Sequence, residues 1–121
     1  MEEIYDLIQD KIDTPLYWGL LPSDCDFSEG VISYTSTFLN REIITELESN
    51  EITFVVRAHD IVKANEIDRA LDVAIRETHG QRVEGLGTIM WYFLNKTAEL
   101  FEDEARVFQR QTTWALRFIR F

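Results

Sequence analysis

A chain of 121 residues with 45% hydrophobic side chains has the size and apolar content of one domain, residues 1–121, built around one core. Its 22 acidic against 12 basic residues give a formal net charge of −10, which repels phosphate backbones and argues against direct nucleic-acid binding. The single cysteine, Cys25, excludes an internal disulfide; the acidic start MEEIYD and the absence of a run of about eighteen apolar residues predict a soluble, unexported protein with no membrane partner.

Ile4, Ile8 and Ile12 recur at i, i+4 and i+8, which places one apolar stripe on a short N-terminal helix. Glu2, Glu3 and Asp6 sit at its positive end, and Asp13-Thr14-Pro15 stops it because the residue before proline is pushed out of helical geometry. The run LYWGLL at 16–21 suits a short strand ended by Pro22, and 24–30 reads as a polar loop. VISYTSTFL at 31–39 reads as a strand with Ile32, Tyr34 and Phe38 on one side and a wetter face of Ser33, Thr35 and Thr37. The stretch 40–50, whose two isoleucines lie among acids, could make one or two helical turns or extend the strand, and is taken as a connection.

A strict alternation, Ile52-Phe54-Val56-Ala58, then runs directly into an amphipathic helix. Asp60 is its predicted N-cap, Gly80 its left-handed stop, and Ala64, Ile67, Leu71, Ala74, Ile75 and Thr78 its buried stripe. After a glycine-bearing connection at 81–87, TIMWYFL at 88–94 is apolar on both faces, as in a sheet interior or at a subunit contact. NKTAELFEDE reads as an exposed acidic hairpin loop, and 106–119 as a long strand pairing antiparallel with 88–94. The predicted fold is α+β: an antiparallel or mixed sheet of about five strands, one long helix on a face and a short N-terminal helix.

No pattern carries catalysis. His59 and His79 bracket the long helix about 30 Å apart, too far to share a metal within one subunit. Cys25 stands between Asp24 and Asp26, whose charges disfavour a thiolate, and Gly80, Gly85 and Gly87 form neither phosphate-loop motif. No catalytic residue, cofactor or metal is therefore expected. Trp91, Tyr92, Phe93, Phe108 and Trp114 fit a core and a protein contact better than a base-stacking platform in so acidic a chain. Acid is concentrated in residues 1–60, with 13 acids against 3 bases, whereas 61–121 carry 9 of each. That split suits either an acidic face in an assembly or an ordinary solvated surface. Arg106, Arg110, Arg117 and Arg120 follow one another with no acid between them, just after Glu102, Asp103 and Glu104. Arginines mixed with aromatic groups make a plausible contact surface for a neighbour's acidic loop; arginines reaching from sheet ends to water are the alternative.

The element order, with LYWGLLP after the first helix, ITFVVRAHDIVKANEIDRALDVAI as a strand-helix unit and DEARVFQRQTTWALRFIRF as the closing strand, resembles the tail terminator proteins of long-tailed bacteriophages, also called tail-completion or minor capsid proteins. The resemblance implies a virion structural protein, made in the host cytoplasm, that forms a homo-oligomeric ring, commonly a hexamer. Such a ring caps the head-proximal end of the tail tube, stops its polymerisation and offers a docking surface to the head connector or neck protein. Its expected interface residues here are Glu102, Asp103, Glu104, Arg106, Arg110 and Arg117. Two other readings stay open: a neck or head-completion protein, and, from the charge of residues 1–60, an acidic DNA mimic that inhibits a nucleic-acid enzyme.

Overall fold

The computed structural model of the chain describes residues 2–102 and 107–119. Helix α1 (Glu2–Gln9) is followed by β1 (Leu16–Trp18), β2 (Val31–Arg41), β3 (Leu47–Ala58), helix α2 (Ile61–Thr78), β4 (Arg82–Val83), β5 (Gly87–Glu102) and β6 (Val107–Ile119). The strands form one sheet in the order β1-β2-β3-β6-β5-β4, with β1 parallel to β2 and every other pair antiparallel. The α+β reading holds, with six strands rather than about five; the additional strand is the two-residue β4, inside what sequence suggested was a plain connection.

Both helices lie on one face of the sheet. Ile32, Tyr34, Ile52, Phe54, Val56, Ile89, Trp91, Trp114, Leu116 and Phe118 project from the strands into a single core, closed by Ile4 and Ile8 of α1 and by Ile67, Leu71, Ala74 and Ile75 of α2. The period of two in β3 and the helical spacing in α2 therefore meet in one layer of packing. Gln9 fastens α1 to β1: its Oε1 accepts from the Leu16 backbone N–H at 2.9 Å, and its Nε2 donates to the carbonyls of Ile12 and Thr14.

Helix α2 begins and ends where its capping residues dictate. Asp60 Oδ1 accepts from the Val62 N–H at 2.9 Å, and Gly80 takes φ of 83° just beyond the C-cap His79. That last turn is tied to β5: the Gly80 N–H donates to the Ile89 carbonyl, the Trp91 N–H to His79 Nδ1 at 2.9 Å, and Trp91 Nε1 to Thr78 Oγ1 at 2.8 Å. These bonds cover the outer edge of β5 at Ile89 and Trp91, where β4 has already ended.

Two connections expected from sequence are instead strand. Residues 40–50 belong to a β-hairpin: β2 continues to Arg41, β3 starts at Leu47, and the turn closes through Glu42 N–H to Leu47 C=O at 2.9 Å, with Glu46 at φ of 60°. Charged side chains obscured it, because over residues 40–46 neither face of the ribbon is buried and no alternation is imposed. The segment expected as an acidic loop is largely the second half of β5, which pairs with β6 as far as Glu102↔Val107, with bulges between Phe93 and Asn95 and between Thr97 and Leu100. The bulges interrupt the period of two by which a strand is recognised. Residues 103 and 104, the rest of that segment, lie outside the described residues, as do 105 and the first residue of the expected closing strand, 106.

Candidate functional site

Of the six interface residues expected from sequence, Asp103, Glu104 and Arg106 lie outside the described residues, and Glu102 closes β5. Arg110 and Arg117 both sit on β6 but on opposite faces of the sheet. Arg110 points to the helical side, where its NH1 donates to Asn65 Oδ1 at 2.8 Å and its NH2 stands 3.8 Å from Asp68 Oδ2. Arg117 lies on the uncovered face, its guanidinium carbon 5.0 Å from the centre of the Tyr92 ring. Arg110 is thus engaged inside its own subunit, whereas Arg117 is exposed.

Arg110 belongs to a charged cluster around Asp68, a helix residue only 4% exposed. Lys96 of β5 forms an ion pair with Asp68 Oδ2, and Thr112 Oγ1 donates to Oδ1 at 3.4 Å. A buried carboxylate survives only when its charge and lone pairs are matched, and two cations and a hydroxyl do so here. Sequence reading passed over Asp68 and Lys96. The available signal was Asp68 itself, one helical turn from both Ala64 and Leu71 on an otherwise apolar stripe.

Beside this cluster a groove of about 500 Å³ runs between α2 and β5. It is lined by Val73 and Phe93 together with Arg69, Asp72, Arg76 and Lys96, so three cations face one carboxylate in a chain of net charge −10. Arg76 is held by Asp72 at 2.8 Å and lies 5.4 Å over the Trp114 ring, which Trp91 and Phe93 clasp edge to face. A cleft of about 270 Å³ lined by Arg76, His79, Trp91 and Trp114 lies alongside, sharing Arg76 with the groove.

The remaining sequence candidates are dispersed. His59 packs edge-on to Phe27 at one end of α2, and His79 sits at the other. Burial, followed by the charges of Asp24 and Asp26, pushes the Cys25 thiol up from its ordinary value, opposite to what a nucleophile needs. Among the described residues no three histidine, cysteine or carboxylate side chains converge to hold a metal ion, and no helix is long and apolar enough to cross a membrane.

These features define a two-layer α+β domain whose sheet carries both helices on one face and exposes Tyr92 and Arg117 on the other, with a basic-apolar groove at one flank. No family model matches the chain, and no curated protein matches it in sequence. In fold it is similar to a chain of a solved structure described as "Virion of native gene transfer agent (GTA) particle", at 12% identity and a TM-score of 0.63, covering 93% of this chain and 84% of that one.

Proposed function

We propose that the chain is a virion structural protein that acts as a tail terminator: a homo-oligomeric ring, of hexameric size, at the junction of head and tail. It caps the head-proximal end of the tail tube, stops addition of tube protein and presents its opposite surface to the head connector or neck protein. One observation carries the reading: a fold similar to that of a virion chain along 93% of its length. The physics is compatible, since a closed ring needs two different patches that complement each other and no catalytic group. Neither an enzymatic step, a cofactor nor nucleic acid enters this role. Within it, the acidic residues Glu102, Asp103 and Glu104 of one copy are partners for Arg106 and Arg117 of the next, while Arg110 supports the fold from inside.

The test is the solution mass of the purified chain, followed by electron microscopy after mixing with purified tail tubes. Closed rings that seat on one end of each tube and stop its further growth are the expected result. Binding to the connector but never to tubes would make it a neck protein. A monomer that ignores both and inhibits a DNA-binding enzyme would replace this reading with nucleic-acid mimicry.

A further inference from the structure

Two of the three most exposed large apolar side chains among the described residues stand together on one projection. Ile43 and Ile44, 92% and 96% exposed, occupy the turn between β2 and β3, with Leu39 and Phe38 also exposed on the ribbon behind them. The turn is not a slack loop. Arg41 and Glu46 form an ion pair across it, Thr45 Oγ1 donates to Glu42 Oε2 at 2.8 Å, and the Leu47 N–H donates to Thr45 Oγ1 at 3.3 Å. A surface ordered before contact loses less conformational freedom on binding, so a rigid apolar tip is suited to insertion. Around the two isoleucines stand Glu42, Glu46 and Glu48 against Arg41, three acids to one base.

The groove between α2 and β5 has the complementary make-up: an apolar Val73 and Phe93, both exposed, rimmed by three bases to one acid. Its volume of about 500 Å³ accommodates two branched side chains. Tip and groove do not meet within one subunit. In the sheet, β2 is separated from β5 by β3 and β6, about 14 Å over three strand spacings. The tip also extends beyond the Leu47↔Ile119 pair, whereas Phe93 lies at the level of Trp114, about 17 Å back along the strands.

We propose that the β2–β3 hairpin tip of one copy seats in the α2–β5 groove of the next, Ile43 and Ile44 against Val73 and Phe93, with Glu42 and Glu46 facing Arg69, Arg76 and Lys96. The inference rests on the ring reading and supplies its contact. Because the two patches differ, the interface is heterologous: each copy gives a tip and receives one, and on the ring reading the rotation between copies closes the chain of contacts.

The test uses the full chain with Cys25→Ser as background. One preparation carries Ile44→Cys, a second Val73→Cys, and a short bismaleimide is added to each alone and to their mixture. Both positions are exposed, so circular dichroism should match the parent. Cross-linked dimers are expected in the mixture and not in either preparation alone, and a ladder of multimers is expected when one chain carries both cysteines. Ile43→Asp with Ile44→Asp should raise the concentration for half-assembly by about tenfold or more. Rings that assemble normally with the aspartates and give no cross-link overturn this contact and leave the ring reading standing. A chain that stays monomeric at every concentration, alone and with tail tubes, overturns both.

Discussion

Asp68 is the side chain on which most depends. It sits on the buried face of α2 and is reached by Lys96 from β5, and by Arg110 and Thr112 from β6, so one carboxylate joins the helix to two strands distant in sequence. Removing it strands two cations at the helix-sheet seam, and breaking one partner out of such a buried set costs about 3–5 kcal/mol. Asp68→Ala should therefore lower the urea midpoint strongly at an unchanged slope, whereas Asp72→Ala, on the more exposed side of the same helix, should cost no more than about 1 kcal/mol. Parallel denaturation curves of the two variants check it. Charge alone does not identify such a residue: Asp68 and Asp72 are adjacent turns of one helix, and only the strands beneath distinguish them.

Among the elements, the entry to β2 and the exit of α2 both use a glycine at φ of 83°, yet their surroundings differ. A β-carbon at Gly30 would overlap Ile67 Cδ1 of α2, while one at Gly80 meets open space. Gly80→Ala should cost about 1–2 kcal/mol, the left-handed penalty by itself. Gly30→Ala should add an overpacking cost of about 1–3 kcal/mol, and Ile67→Val, which removes the clashing atom, should recover part of that excess in a double-mutant cycle. Equal losses at the two glycines, or no coupling between 30 and 67, would count against close packing of α2 on the start of β2. Both glycines were visible in sequence as stops and turns; the approach of Ile67 to one of them was not, because it is fixed by how α2 lies on the sheet.

At the scale of the whole molecule, fold and proposed assembly use separate residues. Ile43 and Ile44 are solvent-exposed, and the core ends well before them on β2 and β3. Replacing residues 43–46 by Asn-Gly, which keeps the Arg41↔Glu48 register and favours a tight hairpin turn, should leave the thermal midpoint within a few degrees of the parent. The same change should abolish ring formation. Calorimetry and native mass measured on one preparation separate the two effects, and a large drop in midpoint would mean that the tip stabilises the fold itself.

What the sequence by itself determined are the local periods and their stops: the stripe of Ile4 and Ile8, the alternation from Ile52 to Ala58, and α2 between Asp60 and Gly80. These follow from backbone geometry and from one buried face, which neighbouring residues encode together. Tertiary structure alone decided that β3 pairs with β6, that Asp68 meets Lys96 and Arg110, that Arg110 and Arg117 part to opposite faces, and that residues 40–50 form a projecting hairpin. Each of these depends on partners far apart in the chain, or on a ribbon with no buried face at its end, and a local pattern of apolar residues carries neither kind of information.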